Sequence, residues 1–461
     1  MHVTRSLFVT VFLLFVVECG EVVVAAEPQS PSPEPLRRYA NTPDRYRPFG
    51  SFAEPYKEFF FDPLEFTGPG REKPEPEGLT CVKIGFLGPI EKTVSVATGG
   101  MSHEEPLGTK MLQGVELAVD QANARGGYRN RLPYKLIIRN DNGLWGASGN
   151  EIIHLAYNEK VWAIIGTIDG ANSHIAIRVA LKAEVPVVNT GDTDPTFVET
   201  RIPWVFRCIS DDRQMCYLLC DYAYQKLGLT QVAGLRASNR YGRVNIDEFR
   251  DGSRRLGHPL VVELQYRIGD TDFRPQLERI GSLNVDGVVT YGDARESGLI
   301  LKQMREMGMT EQVFLASDRI VADEFLEIVG ENPGPVVAGY PYDPTRDDPI
   351  LHAFRKAFRQ KFKEEPEQYA AHGYDGACIL IEAIEKAGLN RARIRDAMQE
   401  IKRYHGVTGQ IIFDAIQNDI SPACLAILEK GKFNFYTGEE LFGPPEDETE
   451  HASTDESAAK L

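Results

Sequence analysis

"VVNTGDTDPTF" (residues 187–197) is a β-branched run that stops abruptly in small, hydroxyl-bearing and acidic residues. Asn189, Thr190, Gly191, Asp192, Thr193 and Asp194 follow the two valines, and Pro195 then blocks any smooth continuation of the strand. Taken alone, the loop reads in two ways. It is an ordinary strand-to-helix turn, because Asp and Thr cap helices well. Or it is one wall of a small-molecule site, with free backbone groups, little side-chain bulk and two short carboxylates. The surrounding chain decides between them.

Upstream, "CVKIGFLG" (81–88) is a β-type run closed by glycine, and "LGTKMLQGVELAVDQANARGG" (107–127) repeats apolar residues at helical spacing. Gly126 and Gly127 end that helix. "YKLIIR" (134–139), a helix over 150–157, "VWAIIG" (161–166) and a helix over 174–183 lead into the opening strand. The alternation of strand and helix with short connections predicts a parallel sheet covered on both faces. After "WVFRCISDD" (204–212) the pattern restarts. Strands "QVAGLRA", "VVELQY", "DGVVTYG", "QVFLAS" and "VVAGYPY" alternate with helices over 215–227, 244–256, 274–280, 296–307 and 323–328. Helices over 351–362, 369–386 and 391–402 follow. "GVTGQIIFD" and "PACLAILEKGKF" close the body as strands. The fold class is α/β, with two consecutive parallel-sheet units.

Open α/β sheets bind ligands at the carboxyl ends of their strands. The first unit offers "GTIDGANSH" (166–174) and the opening loop, rich in Gly, Thr and backbone amides at helix N-termini, which suit a carboxylate. The second offers "SNRYGRVN" (238–245), "YGDARESG" (291–298) and "ASDRIVAD" (316–323). These supply Tyr241, Asp293 and Asp318, suited to an ammonium or to hydroxyls. The two sets are complementary, and the opening loop becomes half of a cleft.

Composition narrows the function. The 461 residues carry a formal charge of −16, which argues against a nucleic-acid partner and against anionic membrane surfaces. Cys216 and Cys220 lie four apart on a helix, and metal ligation there would want further His or Cys ligands close by, which do not appear; buried thiols are the reading, and no metal or cofactor is expected. Arg5 precedes an apolar run over 7–17, too short to span a bilayer and suited to a secretory signal cleaved after Ala26. A rival reading makes Cys19 a lipoprotein cysteine, although Glu18 suits that poorly. Residues 27–79 are Pro-rich and read as a linker, and residues 441–461 as an acidic, disordered tail.

Over residues 82–435 the chain resembles the type I periplasmic binding proteins of the leucine/isoleucine/valine group, receptors for ABC importers. The likeness rests on "VKIGFLGP", "GVELAVDQANARGG", "AIIG", "VPVVNTGDTDP", "RYG", "DGVVTYG", "GLILKQMREMG", "AAHGYDGACILIEAI" and "GVTGQIIFD", in that order. The resemblance implies a two-lobed flytrap, each lobe a parallel sheet flanked by helices, hinged on three crossing strands near residues 207–210, 337–341 and 408–412. Lobe 1 is then expected over 80–207 and 341–409, and lobe 2 over 208–340 and 410–440. It also implies an exported, monomeric protein in the periplasm. Such a protein captures a small polar solute, an amino acid or an amide or amine compound, for an importer permease; a membrane sensor is the alternative partner.

The resemblance further implies that the loop at Gly170 and Ala171 receives the solute's carboxylate. Gly191 gives a carbonyl, Thr193 an amide and a hydroxyl, Asp318 takes an α-ammonium, and Tyr241 closes over the solute. Gly170 stands where the family has a serine, so Asn172 or Ser173 is expected to substitute. Asp293 stands where aromatics line the side-chain pocket, so a polar or cationic solute is expected over an aliphatic one. Asp318 as a helix cap, Thr193 and Tyr241 as turn residues, and Asp293 as a solvated loop carboxylate are the plain structural alternatives. His103, His174 and His372 read as surface or capping residues. An enzyme of dinucleotide-binding type would need a G-x-G-x-x-G fingerprint after a strand, and neither "LGPIEKTV" nor "TIDGANS" supplies it.

Overall fold

The computed structural model describes residues 63–93, 102–331 and 333–443. The expected signal segment, most of the expected linker and nearly all of the acidic tail lie outside them.

The chain enters through β1 (Val82–Gly88), a hairpin of β2 (Glu91–Thr93) and β3 (Ser102–Glu104), and the long helix Pro106–Ala124. β4 (Tyr134–Asn140), β5 (Ile164–Ile165), β6 (Val187–Asn189) and β7 (Val205–Arg207) complete a sheet of order β4-β1-β5-β6-β7, parallel throughout. Ile84, Phe86, Val188 and Phe206 on its strands are buried together with Ala377, Leu380 and Ile384 from the helix Gln368–Ala387. That helix packs along Pro106–Ala124, where any side chain at Gly114 would run into the Ala370 carbonyl.

The second lobe contains β8 (Val232–Ala237), β9 (Val262–Tyr266), β10 (Gly287–Tyr291), β11 (Val313–Ala316) and β12 (Val336–Tyr340), all parallel. Beyond the small hairpin of β13 (Arg403–Gly406) and β14 (Gly409–Ile412), β15 (Cys424–Glu429) and β16 (Lys432–Thr437) extend this sheet antiparallel at one edge. The order β9-β8-β10 reverses chain direction across the sheet at β8, and β4-β1-β5 does so at β1. Both sheets therefore open a crevice at the ends of these strands.

Three segments of the chain, at Ser210, Pro341 and Ser421, lie side by side beyond the ends of the sheets. The Ser210 hydroxyl lies 3.2 Å from the Pro341 carbonyl and 3.3 Å from the Ser421 carbonyl. The third crossing thus runs at Ser421, later than the 408–412 expected from the resemblance. β14 pairs with β13, and Ile411 and Phe413 are buried in the first lobe's core, so residues 410–419 stay with lobe 1.

Residues 63–79 also differ from the expected linker. Leu64 is buried among Ile177, Phe197 and Val198, which stabilises by about 1.5–3 kcal/mol. Phe66 meets Trp204 edge-on, Arg71 clasps Asp396 through two nitrogens, and Asn390 holds the Gly70 and Lys73 carbonyls. Proline stiffness here serves a strap tied to the first lobe, because its apolar and charged residues find partners there.

Helices start earlier than the apolar periodicity suggests. The expected helices over 174–183, 244–256 and 296–307 begin at Gly170, Arg240 and Ala294. The polar first turns escape a hydrophobic template, and they are the turns that face the cleft.

Candidate functional site

The opening loop folds on its own side chains. The Asn189 amide oxygen accepts from the Gly191 and Asp192 amides at 3.2 and 2.9 Å, and Asp192 accepts from the Asp194 amide at 3.0 Å. The loop is thus a built turn and also a wall between the lobes: the Thr193 carbonyl accepts the Asp212 N–H from the second lobe's first helix at 2.8 Å. Asp192, Thr193, Asp194 and Asp212 are all buried. Burial, reinforced by Asp194, pushes the Asp192 carboxyl up to about 7. Burial also holds Asp212 well above its ordinary range, with the Thr193 hydroxyl pulling it back.

Across the cleft, Asp318 follows β11 and is buried. Its carboxylate accepts the Tyr241 hydroxyl at 2.8 Å and a hydrogen bond from the Gln368 side-chain amide, with the Tyr369 hydroxyl at 3.5 Å. Gln368 and Tyr369 open the first lobe's long helix, so one carboxylate collects donors from both lobes. Asp318 does not cap the next helix, whose N-cap is Ala322. Burial raises its pKa and Arg319 opposes that rise.

Arg319 is the residue that sequence reasoning passed over. Its guanidinium carbon lies 3.6 Å from the Tyr241 ring centroid. Nη1 donates to Asp293 at 2.6 Å and Nη2 to Asp169, on the first lobe, at 3.0 Å. Its side chain is 5% exposed against 40% for Asp293 and 30% for Asp169. Asp293, expected to line a solute pocket, stands at a helix N-cap and pairs with Arg319. The available signal was adjacency: Arg319 follows Asp318 in the loop over 316–323.

The first lobe's turn at Gly170, where an anion was expected to bind, is less open than that reading requires. Asn172 donates to Asp141 at 3.0 Å, and the Ser173 hydroxyl engages Thr167 and the Asp169 carbonyl. Neither stands free to replace the missing serine at Gly170. Gly170 begins its helix where a Cβ would lie 2.7 Å from Asp194 Oδ2 and 3.0 Å from Arg240 Nε. Ala171 is half-buried beside it, and Gly191 packs against Thr167 and Ile168. Arg240 forms a second bridge between lobes, reaching Asp194 at 2.6 Å, Thr196 at 2.8 Å and His174 at 3.1 Å. Burial lowers the His174 pKa. His372 is buried rather than at the surface, its Nδ1 2.8 Å from the Gln368 carbonyl oxygen. Cys216 and Cys220 are buried thiols, the former 3.1 Å from the Tyr291 hydroxyl.

The candidate site therefore brings together Thr193, Asp212, Tyr241, Asp318, Arg319, Gln368 and Tyr369 between two sheets, with Gly170, Ala171 and Gly191 at its first-lobe edge. Its chemistry is hydrogen bonding and charge, applied from two bodies at once.

Comparison with known proteins agrees with this architecture. The model of a family described as "Periplasmic binding protein" matches residues 82–429. A "Leu/Ile/Val-binding protein homolog 2" of Brucella abortus is 27% identical over 368 residues, covering 77% of this chain and 96% of that protein. An "Amino acid binding protein" of Pseudomonas aeruginosa is 27% identical over 315 residues, covering 68% and 80%. Among solved structures, the branched-chain amino acid transporter substrate-binding protein LivJ of Streptococcus pneumoniae, in complex with isoleucine, superposes with a TM-score of 0.68. It is 25% identical and covers 77% of this chain and 99% of its own. A solute-binding protein of R. palustris in complex with benzoate also reaches 0.68, at 19% identity, over 77% and 96%, and shares the fold.

Proposed function

We propose that this chain, which belongs to the periplasmic binding protein family, captures a small polar solute of the amino-acid or amide and amine class between its lobes for an ABC importer. Export through the signal-like segment at 7–17 and delivery to a permease are parts of the same reading. The names of the relatives and the isoleucine complex support the solute class.

The observation that carries the proposal is Asp318. A buried carboxylate held by neutral donors from both lobes gains most from a solute that brings an ammonium or N–H group. Such a solute binds the closed arrangement better than an open one, which is the requirement for ligand-driven closure. Thr193 and the amides near Gly170 and Ala171 supply donors for the solute's other end.

A thermal-shift screen of the mature protein against amino acids, amides, urea, polyamines and small carboxylates tests this. A solute at a hundredfold excess over Kd should stabilise by about 2.7 kcal/mol. No stabilisation by any member of these classes would remove the proposed solute class.

A further inference from the structure

Tyr241 is the aromatic that the resemblance assigns to the solute, yet one face of its ring is already covered by Arg319. A planar cation on a tyrosine face, with a carboxylate at each terminal nitrogen, is the arrangement a receptor uses for a guanidinium. Here the chain supplies that guanidinium itself. The two carboxylates come from different lobes, Asp169 from the first and Asp293 from the second, so the arrangement exists only while the lobes are together. Arg319 also stops short of satisfying itself: Nε is buried and has no hydrogen-bond partner among the described residues. A buried donor left unpaired costs about 1–3 kcal/mol. An oxygen atom on a solute beside Tyr241 would supply the missing acceptor.

We infer that Arg319 is the specificity-determining residue of the cleft, a tethered occupant of a cation subsite formed by Tyr241, Asp169 and Asp293. This rests on the cleft being the capture site, and it sharpens the solute class. With the subsite filled, a solute carrying a second cation there meets the Arg319 charge and no vacant carboxylate pair. A solute presenting a carbonyl or carboxylate oxygen at that end meets the Nε–H. The accepted class is therefore an amino compound whose side chain ends in an oxygen acceptor, and basic amino acids and polyamines are excluded. The cationic solute expected from Asp293 alone gives way, because Asp293 is neutralised from within.

The test is calorimetric titration of the full chain with methylguanidinium chloride, a free copy of the tethered group. Arg319→Ala vacates the subsite and should bind this probe at least about tenfold more tightly than the unsubstituted chain. Adding Asp169→Asn should abolish the gain. Arg319→Gln, which keeps a side chain of intermediate size, should show a smaller gain in the same direction and serves if the alanine variant does not fold. Equal binding of the probe by substituted and unsubstituted chains overturns the inference, as does a gain that survives Asp169→Asn. None of these outcomes depends on which solute the unsubstituted chain captures. Capture of a basic amino acid in the solute screen would overturn this inference while leaving the capture function intact.

Discussion

Two buried arginines stand where the lobes meet, and they are not alike. Arg207, at the end of β7, is fully buried and all three of its guanidinium nitrogens are used. They reach Asn418 at 2.8 Å, the Asp194 carbonyl at 2.5 Å and Asp211 at 2.9 Å. Arg319 is nearly as buried, but among the described residues one of its donors has no partner, and the two partners it has face water in part. The first has the signature of a pin through the hinge region. The second has that of a group whose arrangement is complete only with something else present. Burial alone does not separate structural from functional charges here. The completeness of the hydrogen bonding does.

The contrast breaks most readily at Arg207. Arg207→Met leaves Asp211 and Asn418 buried without their guanidinium, and removing one partner of such a pair typically costs about 3–5 kcal/mol. Denaturant unfolding should show a loss of that size. A loss below about 1 kcal/mol would place Arg207 and Arg319 in the same category.

The next effect in size concerns pH. The Asp192 carboxyl, raised by burial and by Asp194 to about 7, keeps its proton in the folded state where the unfolded chain, near the ordinary 3.8, has released it. Its contribution to stability is therefore fully present below about pH 4 and is lost as pH rises through 7. The slope from this one group approaches 1.4 kcal/mol per pH unit at most, taking about one proton per group. Thermal melts from pH 4 to 8 should show Asp192→Asn losing less stability than the unsubstituted chain over that window. Parallel pH profiles would mean that Asp192 stays charged and is balanced by a neighbour.

Arg319→Ala should cost little stability, about 1 kcal/mol or less, because Asp169 and Asp293 can turn to solvent. A loss equal to that of Arg207→Met would make it a second pin and remove its proposed role in selecting solute. Glu365 sets the lower bound. It is exposed beside Arg355 and Arg359, and Glu365→Gln should change stability by no more than about 0.5 kcal/mol and leave solute affinity unaltered.

The sequence made the lobes legible for a physical reason. Strands such as "VWAIIG" and "DGVVTYG" must be apolar on both faces of a covered parallel sheet, and that pattern survives in one dimension. The loops at strand ends were readable as a place, because sheet topology puts them together. Individual roles were less so. Arg319 contributes through a ring on another helix and carboxylates on two lobes, none of which is near it in sequence except by the fold. Gln368 and Tyr369 reach Asp318 across 50 and 51 residues from the start of a helix whose apolar stripe gives no hint of it. Asn172 and Ser173 looked available only because Asp141 and Thr167, their partners, are visible solely in three dimensions. The strap at 63–79 was hidden by its composition, since proline content signals stiffness and says nothing of what the stiff segment touches.

The central claim is that Asp318 and Thr193 face one solute across the cleft. Isothermal titration of the solute identified by screening, against the unsubstituted chain, Asp318→Asn and Thr193→Val, tests it most directly. Asp318→Asn should weaken binding at least about tenfold, or about 1.4 kcal/mol, because a desolvated charge partner is lost. Thr193→Val should weaken it as well. Unchanged affinity in Asp318→Asn would contradict the account and place the solute's ammonium or N–H group elsewhere.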